Sequence, residues 1–398
     1  MRTLERYRYR AFVAFLALIV VFLVSQDVSS DSKPATTDKL AQHRERTEQV
    51  ELNYNDYALF IAGVHNEQST LTAYEDRPAW VKHSEFFDQN WQKYRDLQLS
   101  PMRKWSGEVI EAVASSQHTV FYPFSGADFI SIYTLFPHAG TYVLMALEPA
   151  GKMPGFSAMS SKDFDSFFSD LQHSLHDLLS FHYFVSAHMK ADLAQKELSG
   201  VLPLLLFFMA RERARVVEVL HWAMKADGSI REIPAPAPSD DGSTDIQGLK
   251  VVFRSSGAAK TQTLYYFRFN VYYFGRNKHF VSFLRNLGPF TSFMKSASYV
   301  MFDPGVSAAR QFVLEGSSSI LQEDSGIPLR HFDPAVWNLC FFGTYKGPPS
   351  FFKHRYQDDL AKIYQAGKGI KPLPFGIGYH FRLNTSNLMW ATRKDNPL

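Results

Sequence analysis

Thr119–Ala150 reads TVFYPFSGADFISIYTLFPHAGTYVLMALEPA, and its patterns run strand, tight turn, helix, strand. Thr119 to Phe124 is a short β-branched and aromatic run that suits a buried strand. Ser125-Gly126 ends it, and Gly126 lets the chain turn where a Cβ would clash. From Asp128 onward, Phe129, Ile130, Ile132, Tyr133 and Phe136 predict a helix buried over much of its surface. Pro137 and Gly140 stop it. Thr141 to Leu147 is a second apolar strand, closed by Glu148-Pro149. Two strands joined by one helix form a βαβ unit, so the strands are expected to be parallel neighbours. The expected fold class is α/β: a Rossmann-like mixed sheet with flanking helices and additional antiparallel strands in the C-terminal half.

The unit resembles the first βαβ of Rossmann-like proteins, the S-adenosylmethionine methyltransferase variant in particular. The resemblance implies that the turn after the first strand approaches a ligand. It also implies that an acid ending the second strand binds ribose hydroxyls. Glu148 lies 22 residues after Gly126, near the expected spacing. The turn departs from that pattern, with one glycine instead of a G-x-G run and with Phe124 where a cofactor would lie. The chain is also similar to uncharacterised exported bacterial proteins, on YPFSG at 122–126 with Asp128, LEP at 147–149 and DSGIP at 324–328. That likeness implies an architecture and no activity.

Ser125 and Asp128 have capping-box spacing, S-x-x-D, which would satisfy free N–H groups at a helix start. The same residues, with Gly126 and Glu148, would line a ligand crevice at the strand ends. Ser317 to Gln322 predicts another strand, and Glu323-Asp324-Ser325-Gly326 follows it. Acids past a strand followed by a glycine turn suit a crevice, and equally any exit into a loop. The candidate ligand-binding residues are therefore Ser125, Gly126, Asp128, Glu148, Glu323 and Asp324. Asp128 and Asp324 are expected to face one crevice. No nucleophile–base pair is identifiable from spacing, so no reaction class and no cofactor is assigned.

Met1 to Val24 carries the strongest targeting signal. Arg2, Arg6, Arg8 and Arg10 precede 14 uncharged apolar residues, Ala11 to Val24. This matches a secretory n-region and h-region, and it is short of the ~20 residues of a membrane span. Residues 1–30 are expected to be a signal peptide or a signal-anchor, the latter giving the chain a membrane partner through 11–24. The body would be exported, periplasmic or otherwise extracytoplasmic. Residues 31–51 read as a flexible tether, and 52–398 as one large α/β domain, with a division into two lobes near 234–248 left open.

Forty-five per cent hydrophobic residues give ample material for a core. A net charge of +3 without a clustered Lys/Arg stripe argues against a nucleic-acid partner. A single cysteine, Cys340, excludes an intrachain disulfide. Ser161 to Leu179 predicts an amphipathic helix whose polar face carries His173, His176 and Asp177, with His182 and His188 beyond it. These are weak metal candidates, since a solvated helix face has the same pattern and HExxH is absent. G-x-S-x-G and a Walker loop are also absent.

Further elements are expected as follows: helices at 54–62 and 80–94, a helix capped by Ser100, a buried helix at 200–209, and strands at 216–224, 249–254 and 263–273. Helices are expected at 278–287 and 293–302, and a terminal hairpin pairs 375–381 with 388–393. Two function classes remain: a small-ligand-binding or enzymatic domain, and a non-catalytic envelope scaffold or interaction protein.

Overall fold

The structure is a computed structural model, and it describes residues 53–116, 118–181, 198–234 and 245–395. The expected signal and tether, His182 and His188, and the centre of the 234–248 loop lie outside the described residues. Tyr54–Leu398 forms one compact unit. Among the described residues no helix is long and apolar enough to cross a membrane.

The strands are β1 (Thr119–Pro123), β2 (Thr141–Ala146), β3 (Arg215–Met224), β4 (Ile230–Glu232), β5 (Ile246–Arg254), β6 (Gln262–Arg268), β7 (Phe290–Met294), β8 (Ser317–Gln322), β9 (Trp337–Gly343) and β10 (Asn387–Arg393). They form one mixed sheet in the order β4-β3-β5-β6-β2-β1-β7-β8-β10-β9. β1 and β2 are parallel neighbours with Thr119 opposite Thr141, as expected. The five parallel strands run β6-β2-β1-β7-β8. Antiparallel pairs extend both sides, β5-β3-β4 on one and β10-β9 on the other. Chain order reverses between β1 and β7. In a doubly wound sheet the crevice outside that point is where ligands bind.

The helices are α1 (Tyr54–Ile61), α2 (Pro78–Tyr94), α3 (Ser100–Val109), α4 (Phe129–Leu135), α5 (Ser161–Phe181), α6 (Leu202–Arg211), α7 (Lys278–Asn286), α8 (Ser307–Gly316) and α9 (Asp358–Ala366). Two cores form, one on each face of the sheet. α1 to α6 contribute to the first, with Val120, Tyr122, Tyr142 and Leu144 from the central strands. α7 and α8 contribute to the second, with Phe121, Val143 and Met145. Successive side chains of a strand point to opposite faces. Both faces are covered here, which is why these strands read as unbroken apolar runs.

Four expectations on elements change. Ser100 is helical and caps nothing: α2 continues into α3 through a π-helical turn, Arg95–Leu99. Widening the helix there moves backbone away from the Pro101 ring, which would otherwise meet the preceding turn. The segment expected as a helix at 293–302 is the end of β7 and then a 3-10 helix, Ala297–Phe302. β7 is buried at every position, and a short apolar run has no period to separate strand from helix. β6 stops at Arg268, and Asn270 caps a 3-10 turn, Val271–Arg276, where the strand was expected to continue. Phe280 and Phe283 of α7 cover the Tyr265–Phe267 face of β6.

The C-terminal hairpin is not formed. β10 pairs with β8 and β9, while 375–381 keeps only the bridge between Ile377 and His380. The apolar run around Cys340 is the edge strand β9, and Cys340 is half-buried.

Candidate functional site

The turn after β1 is tight at two places, since Phe124 and Gly126 both have positive φ (65° and 55°). Asp128 is the N-cap of α4: its side chain accepts from the Ser131 N–H at 3.2 Å. The expected box therefore does not form with Ser125 as the cap. The Ser125 hydroxyl donates to the Gly126 carbonyl instead. The second Asp128 oxygen accepts from the Tyr122 hydroxyl (3.1 Å) and from Lys295 Nζ (2.8 Å). Lys295 is the first residue after β7, and it also donates to Ser131 Oγ at 2.8 Å. Lys295 and Asp128 form a buried ion pair between the ends of β1 and β7.

Past the end of β8 lie Glu323 and Asp324, which are 2% and 3% exposed. One Glu323 oxygen accepts from the Ser296 N–H at 2.6 Å and from the Ser325 hydroxyl. Asp324 accepts from the Tyr299 hydroxyl and from Asn387 Nδ2, each at 2.7 Å. Glu323 and Asp324 are adjacent in sequence and both buried; burial, then the Asp324 charge, holds the Glu323 carboxyl well above the usual carboxylate range. Asp324 and Glu323, with Gln357, Tyr364, Asn387 and Met389, border a cavity of about 10 Å³, room for roughly one water. Gly378 seals the other side, where a Cβ would come within 2.7 Å of the Glu323 carboxyl.

Asp128 and Glu323 both act on the Tyr122 hydroxyl. Its pKa is pushed up by burial first, then by the charge of Asp128, with Glu323 adding to it. Asp128 pairs with Lys295 and Glu323 accepts from the N–H of the next residue, Ser296, so one buried network joins them at the C-terminal edge of β1, β7 and β8, with Asp324 beside Glu323. Ser125 and Gly126 are buried in the turn beside it. Glu148 follows β2 and bears on Tyr266 of β6, where its backbone oxygen accepts the tyrosine hydroxyl at 2.7 Å. His173 and His176 are exposed on α5, which also carries Asp177. Among the described residues no group of three His, Cys, Asp or Glu could hold a metal.

Two site residues carried no usable sequence signal. Lys295 is a lone lysine after an apolar run, and only the strand order brings it to Asp128. Ser296 adopts φ 54°, ψ −134°, a strained conformation for a residue with a Cβ, and its buried hydroxyl has no partner. A strained serine after a strand is the setting of a nucleophile elbow. Here no base bonds its Oγ, so nothing in place activates it for acyl transfer.

The adenosine cofactor implied by the methyltransferase resemblance does not fit these residues. Ser125 to Asp128 are buried, and both Asp128 oxygens are engaged. The cavity at the strand ends is far smaller than the roughly 300 Å³ of a small-ligand pocket. A scan against protein-family models finds none that matches the chain, and a search of curated proteins finds no match.

Proposed function

We propose that the body is a small-ligand-binding Rossmann-like α/β domain whose site is the buried network at the C-terminal edge of β1, β7 and β8. The Glu323–Asp324 pair is its proton-exchanging centre. The observation that carries this is the pair itself: two neighbouring carboxyls, nearly fully buried and bordering a cavity at the strand ends. Such a pair offers one acid and one base side by side. The strained Ser296 and its unpartnered hydroxyl, which borders the same carboxyl through its N–H, support a functional origin for the arrangement. The ligand is small and polar, of the hydroxy-acid or polyol kind, and its binding requires the one-water cavity beside the pair to widen.

The alternative is a non-catalytic envelope scaffold, and one observation favours it: Asp324 and Glu323 already have protein partners on each side. Thermal unfolding of the full chain against hydroxy acids, amino acids and polyols separates the two. A ligand at 100-fold excess over its Kd is expected to stabilise the wild type by about 2.7 kcal/mol. Asp324→Asn should abolish that shift. A complete set without a shift would leave the scaffold.

We further place the body outside the cytoplasm, with residues 11–24 as its export signal or membrane anchor, on the Arg-rich start and the apolar run behind it. A reporter fused after Leu398 is expected to be active only outside the cytoplasm. Cytoplasmic activity of that fusion would overturn the assignment.

A further inference from the structure

Close to the acid pair lies a knot of basic side chains that the pair does not use. Arg310 comes from α8, Arg330 and His331 from the 3-10 turn Leu329–His331, and Arg355 from the 3-10 segment Ser350–Arg355. The chain shows no basic stripe because these residues are spread over 46 positions. Folding gathers them around one ring, Phe302. The guanidinium carbons of Arg330 and Arg355 lie 5.9 and 5.7 Å from its centroid. Arg310 donates to the backbone oxygens of Met301 and Asp303, on either side of that ring.

The cations feel one another. Burial and then Arg330 hold the Arg310 pKa below its ordinary value. Burial, then Arg310 and Arg330, do the same to His331. The acid beside them, Asp303, is also engaged elsewhere: its oxygens accept from the Gly305 N–H (2.8 Å) and the Tyr272 hydroxyl (3.1 Å). Among the described residues Arg330 and Arg355 form no ion pair, and both guanidinium groups lie over the ring of Phe302. Stacking on a ring orients a guanidinium and leaves its N–H donors free. Like charges from three separate elements repel at short range, and an anion among them reverses the sign of that interaction. Arg330 is exposed, and Arg310, His331 and Arg355 are half-buried, so solvent reaches them.

We propose that Arg310, Arg330 and Arg355 form a binding site for a phosphate group. Planar guanidinium forks match the paired oxygens of phosphate, and several of them fit a dianion better than a single carboxylate. The site does not depend on the acid pair: Phe302 meets the Tyr299 ring at 5.7 Å, and it is the Tyr299 hydroxyl that reaches Asp324. Glu323→Gln should therefore leave phosphate binding unchanged.

Calorimetric titration of the full chain with inorganic phosphate at low ionic strength tests the proposal, with chloride of equal ionic strength as the control. The double variant Arg330→Gln/Arg355→Gln keeps Arg310 on its carbonyls, and circular dichroism checks that it folds. Wild type is expected to bind phosphate saturably, and the double variant at least tenfold more weakly. Its unliganded melting temperature in low salt should be equal to or above that of the wild type, because the repulsion is gone. A second arm measures flotation with phosphatidylcholine vesicles, with and without phosphatidic acid. Loss of phosphatidic-acid-dependent flotation in the double variant would identify a lipid headgroup as the source. Binding of free phosphate without such flotation would identify a soluble ligand. Absence of both responses in the wild type, or equal responses in the double variant, would overturn the site.

Discussion

Lys295→Met is expected to destabilise the body by about 3–5 kcal/mol at pH 7, the range found when one partner of a buried ion pair is removed. The side chains of Lys295 and Asp128 are 3% and 2% exposed, so solvent screens neither. Methionine fills much of the lysine volume, and the loss is then electrostatic more than steric. Asp128 would keep the Ser131 N–H and the Tyr122 hydroxyl, and its charge would face a dry interior without a cation. Adding Asp128→Asn should recover part of the loss, because asparagine still caps α4 and brings no charge. The non-additivity of the two single variants should exceed about 1 kcal/mol. Urea denaturation of the four proteins of this cycle measures it. A loss below about 1 kcal/mol for Lys295→Met would mean that water reaches the pair, and the edge of the sheet would have to be open there.

That ion pair also marks where sequence stops being informative. The βαβ unit was legible because each of its signals is local: apolar strands, a glycine turn, a helix stopped by proline. The positions of Asp128 and of Glu323-Asp324 followed, since both come just past a strand and parallel strands end on one edge. Their partners did not. Lys295 meets Asp128 across 167 positions, and Asn387 meets Asp324 across 63. Residue type and spacing say nothing about pairs that only strand order brings together. Glu148, whose spacing from Gly126 suits a ribose-binding acid, follows β2 and bears on Tyr266, on the other side of β1 from the acid pair. The segment 375–381 reads as one strand of a terminal hairpin, and its Gly376 serves a close approach instead. A Cβ on Gly376 would lie 1.6 Å from the Phe381 carbonyl oxygen. Glycine inside an apolar run is the local sign that pairing is broken.

Glu323→Gln is expected to stabilise the body at neutral and alkaline pH and to leave it unchanged in acid. The folded chain holds the Glu323 proton well above its ordinary pKa of 4.5, through burial and then the Asp324 charge. Below about pH 4.5 both folded and unfolded chains carry that proton, and the stability the pair contributes is fully present. Above it the unfolded chain releases the proton and the folded chain retains it. Stability then falls by up to about 1.4 kcal/mol per pH unit, until Glu323 itself ionises. Carboxylates paired with cations give the opposite slope, so the difference between wild type and variant isolates Glu323. Glutamine reproduces the protonated acid in shape and charge: its oxygen accepts from the Ser296 N–H and the Ser325 hydroxyl. It has no proton to lose, so the variant should overtake the wild type as pH rises, by at least about 1 kcal/mol at pH 8. Denaturation curves at pH 4, 6 and 8 for both proteins give the test. Parallel stability profiles would show that Glu323 ionises beside Asp324 without sharing a proton, and the proposed acid–base centre would go with it. Diverging profiles would mean that the wild type forgoes stability to keep a transferable proton at this edge, which a scaffold has no use for.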